Sequence, residues 1–242
     1  MDKTQTEIYS RQMLLPGLGQ EGQEKLLSSS VLLCGVGGLG SPAALYLAAM
    51  GVGRLGLLDG DVVSLSNLNR QLLYTPADLE QPKALRAAER LQQQNPQLQL
   101  EAYPEYLSQE NAGRILSGYD LILDCLDNFE ARFILNDACI ELGIPFIHGG
   151  VYRLNGQIMP IVPGKTPCLR CLFPKGYRSG AADKAILGAT AGLIGSMQAM
   201  AAYKLLLGME EAPAMLVWDG EQGICQRVEL SPDPNCRCQQ GK

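Results

Sequence analysis

Histidine is nearly missing from this chain: 242 residues contain one, His148. A Ser-His-Asp triad or a His-rich metal site would have to be built on that single ring, which argues against histidine-centred catalysis. Positive charge is also short. Twenty Lys and Arg stand against 25 Asp and Glu, with no basic run and a net charge of −5, so general nucleic-acid binding is not expected. No stretch approaches the roughly 18 consecutive apolar residues of a membrane span. The opening residues, MDKTQTEIYSRQ, lack the basic-then-apolar pattern of a secretory signal. A cytoplasmic location with reduced thiols is the expectation, and eight cysteines then read as metal ligands or core fillers rather than disulfides.

An apolar share of 46% with 19% charged residues suits a packed core. Residues 31–34, Val-Leu-Leu-Cys, end at the glycine cluster GVGGLG (35–40), followed by the apolar segment 41–53. Pro42 suits a first helical turn and Gly51 and Gly53 its exit. RLGLLDGD (54–61) reads as a second buried strand, completing a βαβ beginning, and wholly apolar strands belong to parallel sheets covered on both faces. Further along, 82–94 reads as a helix, 98–107 as a strand and 108–116 as a helix capped by Ser108. Residues 119–127 read as a strand with Asp127 at its carboxyl end, 128–143 as a helix and 144–152 as a strand. The Asn155-Gly156 pair signals an antiparallel turn. Residues 174–188 read as a surface loop, 189–208 as a long packed helix and 216–230 as a hairpin. The fold class expected is α/β, a Rossmann-like, mostly parallel sheet continuing into antiparallel strands. No linker divides the chain, so residues 1–242 form a single domain.

Gly35, Gly37 and Gly40 match G-x-G-x-x-G between a strand and a helix, and Asp59 follows Gly40 by 19 residues. Glycines let backbone approach phosphate, the helix N-terminus favours negative charge, and the acid bonds ribose hydroxyls. An NAD-dependent oxidoreductase would share these features. The next segment, with Asp61, Ser66, Asn67 and Arg70, then Lys83, is harder to reconcile with a dehydrogenase. Nucleotidyl transfer crowds negative charge onto the α-phosphate and the departing pyrophosphate, and fixed Arg and Lys donors lower that barrier. Asp127 suits Mg²⁺. Solvated surface charge is the other reading of Arg70 and Lys83.

RQMLL (11–15), GVGGLG (35–40), LLDGDVVSLSNLNRQ (57–71), QPK (81–83), DCLDN (124–128) and CLRC (168–171) resemble the MoeB/ThiF/HesA family, bacterial relatives of ubiquitin-activating enzymes, from about Tyr9 to Cys238. The resemblance implies adenylation of the C-terminal glycine of a small ubiquitin-like sulfur-carrier protein ending in Gly-Gly, with ATP and Mg²⁺, giving an acyl-adenylate and pyrophosphate. It implies a nucleotide site of Gly35, Gly37, Gly38, Gly40, Asp59, Asp61, Ser66, Asn67, Arg70, Lys83, Asp127 and Asn128. Gly38 and Asp59 would meet adenosine and ribose, Asn67, Arg70 and Lys83 the phosphates, and Asp127 the metal. Arg11, Arg70, Lys83 and Asp127 form the implied catalytic set, Arg11 being supplied by the other subunit of a homodimer. Residues of about 28–150 would bind nucleotide, and about 151–242 the carrier and zinc. A non-catalytic, carrier-binding member is the remaining alternative.

Cys168-x-x-Cys171 and Cys236-x-Cys238 can supply four thiolates to one tetrahedral Zn²⁺ stapling the C-terminal region. The family's second pair is usually C-x-x-C, and the C-x-C here leaves Cys225 as a substitute ligand. Cys34, Cys125 and Cys139 read as core, and His148 as buried and hydrogen-bonded. Family members often carry a cysteine in the loop that crosses the active site; residues 180–195 contain none. No covalent carrier link is expected there, and a separate persulfide donor would supply sulfur. The chemistry serves thiamin, molybdopterin and other sulfur-insertion routes, and also carboxylate activation towards a peptide product.

Overall fold

The computed structural model describes residues 1–173, 185–209 and 213–239. Three short helices come first: α1 (Lys3–Ile8), α2 (Ser10–Met13) and α3 (Gly19–Ser28). The polar opening shows little periodicity, yet α1 has a complete capping box between Asp2 and Gln5, which satisfies two otherwise unpaired N–H groups. The alternating part follows as β1 (Ser30–Cys34), α4 (Gly40–Ala49), β2 (Arg54–Leu58), α5 (Lys83–Gln94), β3 (Gln99–Tyr103), α6 (Gln109–Leu116), β4 (Leu121–Asp124), α7 (Phe129–Leu142) and β5 (Phe146–Tyr152). Then come β6 (Asn155–Ile161), α8 (Leu169–Leu172), α9 (Gly188–Leu207), β7 (Ala214–Asp219) and β8 (Ile224–Glu229).

These strands form one eight-stranded sheet in the order β3-β2-β1-β4-β5-β6-β7-β8. Pairing is parallel from β3 to β5 and antiparallel from β5 to β8, as the sequence pattern predicts. Helices cover both faces, so β1 is buried at every residue. Its side chains alternate between two cores: Val31 and Leu33 join Leu47, Leu91 and Ile194 on one face, while Leu32 and Cys34 join Ile115, Leu135 and Cys139 on the other. Cys34, Cys125 and Cys139 are all buried, which makes them core residues.

Local readings fail at three places. The strand expected over 119–127 ends at Asp124, leaving Asp127 in the connection to α7 rather than on the strand. Asn155 and Gly156 are not the turn; Asn155 pairs with Tyr152 and Gly156 with Val151. The turn is Arg153-Leu154, with Arg153 at φ 55°, held by backbone bonds to Ala185 and Leu187. The match of 180–195 to a loop across the site fails from Gly188 onward, where α9 begins, while the long helix read at 189–208 is borne out; the expected surface loop at 174–188 falls mostly outside the described residues.

Candidate active site

The site gathers at the carboxyl ends of β1, β2 and β4. Gly35 leaves β1 with φ 93°, and a Cβ there would stand 2.7 Å from the Cys125 carbonyl oxygen. A Cβ on Gly40 would overlap the carbonyl oxygen of Gly35. Glycine at both positions lets the loop lie flat against the end of β4 and turn into α4. Gly38 sits beside Arg70 and Ala191, and Gly37 beside Gln71. The first N–H groups of α4 and its dipole favour an anion over the loop. Gln71 is 4% exposed and its Oε1 has no protein partner. An orphaned buried acceptor beside a glycine cradle fits a site for a hydroxyl-bearing nucleotide.

Asp59 directly follows β2, accepting the N–H of Val36 at 2.8 Å and of Asp61 at 2.9 Å. Burial raises its pKa, partly offset by the nearby Lys83 charge and by these two amides. The carboxylate therefore ties the glycine loop to the end of β2. Asp61 accepts from Lys83 Nζ at 2.9 Å and from the Tyr106 hydroxyl at 2.6 Å. Burial alone would raise its pKa; the bonds from Lys83 and Tyr106 outweigh that, and it lies below the usual carboxylate range. Lys83 opens α5 and is 5% exposed. Asp61, Ser64, Asn67, Lys83 and Tyr106 line one cavity of about 480 Å³. Asn67 closes a 3₁₀ turn by accepting the N–H of Ser64, and the Ser66 hydroxyl meets that of Ser64 at 3.2 Å. Arg70 is anchored through the Ser66 carbonyl at 2.9 Å and Asn69 at 3.0 Å.

Asp127 is exposed, while Asn128 caps α7 through the N–H of Ala131 at 2.9 Å. Asn128 thus has a structural role that its sequence reading omits. Behind them lies a buried polar cluster. His148 meets Asp124 across 2.7 Å, and Arg132 donates to the carbonyls of Leu126 and Gly149. Burial and the Arg132 charge lower the His148 pKa despite the Asp124 partner. His148 is thus buried and hydrogen-bonded, as expected. Arg11 stands exposed on α2 and shares no bond with the loop residues among the described residues. Sequence reasoning missed Tyr106, Gln71, Asp124, Arg132 and Gln198. Two of these left a trace, Asp124 as the first letter of DCLDN and Gln71 as the last of LLDGDVVSLSNLNRQ.

The second cluster lies on the opposite face from α4. The sulfurs of Cys168, Cys171, Cys236 and Cys238 all lie within 4.8 Å of one another. Cys168 and Cys236 are 3.7 Å apart, and Cys171 and Cys238 3.4 Å. Four clustered thiols of this kind fit one tetrahedral zinc. Burial raises the Cys168 thiol and pushes Cys236 up to about 11, so an incoming metal must displace protons. The C-x-C spacing closes the set. Cys225 does not substitute: it is exposed on β8, opposite Trp218.

The ThiF family profile matches residues 9–239. A sulfur carrier protein adenylyltransferase of Thermus thermophilus is 43% identical, over 97% of this chain and 90% of that protein. The SAMP-activating enzyme E1 of Haloferax volcanii is 40% identical, over 98% and 89%. The adenylyltransferase and sulfurtransferase MOCS3 of Danio rerio is 44% identical, but this chain spans only 50% of it. Among solved structures, E. coli MccB crystallised with MccA-N7isoASN has a TM-score of 0.86 over 98% of this chain and 75% of that one. At 20% identity that likeness speaks for the fold alone.

Proposed function

Because the chain belongs to the ThiF family, we propose that it adenylates the C-terminal glycine of a small ubiquitin-like sulfur-carrier protein with ATP. One observation carries this reading: Lys83 and Asn67 line one cavity with Asp61, and Arg70 lies against Gly38 of the phosphate-cradling loop. A carboxylate oxygen of the carrier attacks the α-phosphorus. The bond from that phosphorus to the bridging oxygen breaks, and pyrophosphate leaves with the electron pair. No proton has to be removed from the nucleophile, so a site without a histidine base suffices, and positioning and charge stabilisation supply the rate.

Gly35, Gly37, Gly38 and Gly40 admit the phosphates to backbone N–H groups, and Asp59 takes the ribose. Lys83, released from Asp61, joins Arg70, Asn67 and Ser66 around the phosphate oxygens. Asp127, an exposed carboxylate beside the glycine loop, suits Mg²⁺, which takes one or two carboxylates together with substrate phosphates. Bound there, the ion neutralises developing phosphate charge. Zinc on the four cysteines is structural.

Residues of about 28–150 form the nucleotide part, and about 151–242 the carrier and zinc part. The active unit is a homodimer in which Arg11 reaches the second subunit's site. Sulfur comes from a separate persulfide donor, since residues 180–195 carry no cysteine. No helix among the described residues is long and apolar enough to cross a membrane, and a cytoplasmic place of work agrees with this chemistry.

The test is ATP–pyrophosphate exchange with small proteins ending in Gly-Gly, each recovered by pull-down. Exchange that depends on one such carrier is expected. Tight dinucleotide binding with no carrier-dependent exchange would instead favour an oxidoreductase. A reducible carrier–enzyme adduct on a cysteine of this chain, trapped in a denaturing, non-reducing gel, would contradict the separate donor.

A further inference from the structure

Resting on the assignment of Asp127 above, we propose that Asp124 is a positioning residue that, with Arg132, clamps the backbone of Leu126 and so sets how Asp127 leaves the sheet. Asp124 is the last residue of β4 and 0% exposed. Its Oδ1 accepts the N–H of Leu126 at 3.1 Å. On the other side of the same residue, Arg132 of α7 donates to the Leu126 carbonyl, through Nε at 3.2 Å. The guanidinium is 3.8 Å from Asp124 Oδ1 and reaches on to the Gly149 carbonyl at 2.9 Å. Both backbone polar groups of the residue before Asp127 are therefore held by one buried ion pair.

The pair is itself immobilised. Asp124 Oδ2 takes the Nδ1 proton of His148 at 2.7 Å, which leaves Oδ1 facing Leu126. Gln198 of α9 donates to the Asp124 carbonyl at 2.9 Å and to Ile147 at 3.0 Å, and receives the Cys125 thiol at 3.4 Å. The Cys125 N–H reaches the Cys34 carbonyl at 2.9 Å. Residues 124–126 are thus tied to β1, β5, α7 and α9, and Asn128 is fixed as the cap of α7. Exposed Asp127 is the one residue left between two anchored points. A buried carboxylate costs more than an apolar side chain at a strand end. Partners that orient a metal ligand change affinity or activity by roughly 10–100-fold when removed.

The experiment is a double-mutant cycle on the full, zinc-loaded chain. Mn²⁺ binding in the presence of ATP is followed by electron paramagnetic resonance for wild type, Asp124→Asn, Asp127→Ala and the double variant. ATP affinity is measured alongside in chelator. Asparagine keeps the shape of residue 124 but loses the charge facing Arg132. The expected result is Mn²⁺ binding weakened about 10–100-fold by Asp124→Asn, with metal-free ATP affinity unchanged. The double variant should be no weaker than Asp127→Ala alone, because Asp124 acts through Asp127. In exchange assays kcat should fall while the KM for the carrier stays.

Unchanged Mn²⁺ affinity in Asp124→Asn, an equal loss of metal-free ATP binding, or a further loss on top of Asp127→Ala would overturn this proposal alone. Should Asp127→Ala by itself leave Mn²⁺ binding and exchange intact, the metal assignment falls and takes the proposal with it. If Asp124→Asn does not fold, judged by circular dichroism and zinc content, Arg132→Lys enters the same cycle. Lysine keeps the charge but cannot reach both the Leu126 and Gly149 carbonyls.

Discussion

Replacing Cys238 by serine withdraws one of four sulfurs that lie within 4.8 Å of one another. A tetrahedral zinc with Zn–S bonds of about 2.3 Å has S···S edges of about 3.8 Å. Two of the six pairs, at 3.7 and 3.4 Å, match that edge to within a few tenths of an ångström, and none of the six exceeds it by more than about 1 Å, so the ion enters by a small contraction of the cluster. Cys168 precedes α8, Cys171 lies within it, and Cys236 and Cys238 belong to the C-terminal segment, so the ion ties together parts of the chain far apart in sequence. Free zinc at about 1,000 times its dissociation constant stabilises a folded site by about 4 kcal/mol. In a chain of this size 1 kcal/mol moves Tm by about 2–4 °C, so loss of the ion lowers Tm by roughly 8–16 °C. Elemental analysis and scanning calorimetry on protein purified without chelator measure both quantities. Near one zinc per chain is expected in wild type and in Cys225→Ser. Cys238→Ser should hold well under one and melt earlier. Wild type without zinc, or zinc lost in Cys225→Ser and kept in Cys238→Ser, refutes the reasoning.

With a single histidine, the difference between wild type and His148→Gln in stability over about pH 5 to 6.5 isolates one imidazole from the carboxylates. The folded His148 pKa is lowered by burial and Arg132, so below about pH 6.5 the unfolded chain gains a proton that the folded chain does not. Stability should fall with acidity in that range, by no more than about 1.4 kcal/mol per pH unit, and flatten in His148→Gln; denaturant titrations in excess zinc would expose a slope that survives the substitution. Asn128→Ala removes the α7 cap and should cost about 1 kcal/mol in urea unfolding, whereas Asn128→Asp keeps an acceptor and most of the stability; equal losses would mean the cap is not what Asn128 supplies. Gly40→Ala drives a methyl group into the Gly35 carbonyl, so a loss of about 1–3 kcal/mol is expected together with weaker ATP binding by calorimetry. A fully active, equally stable Gly40→Ala protein would show that the loop does not need its close turn.

Much of the fold was legible because its signals are local. The apolar strands 31–34 and 54–58 bracket a glycine loop and a small-residue helix, and that periodicity marks a βαβ unit wherever it occurs. Ser108 stands at the N-cap of its helix where the spacing says it should. The misreadings came where a distant contact overrode a local rule. Asn155-Gly156 carries the stronger turn signal, yet Arg153 is engaged on both sides by the segment before α9, and the turn forms there. The helices of 1–28 went unread because their short, polar sequence offers no clear period and their anchors are remote: Gln12 and Gln23 both bond the carbonyl of Met50.

By itself the sequence determined the chemistry available: which residue types stand at which spacing, an acid after the second strand, Asn, Arg and Lys beyond it, and two cysteine pairs. Only the tertiary structure decided which of them meet. It closed a C-x-C pair onto a C-x-x-C pair across 67 and 68 residues, set Cys225 aside on an exposed strand, and put Tyr106 against Asp61. It also placed Asp124, Arg132, His148 and Gln198, drawn from four separate elements, beneath the connection that carries Asp127. Spacing along a chain fixes neighbours within a turn or a strand, whereas these contacts depend on strand order and on which helix covers which face, and those follow from burying the whole core at once.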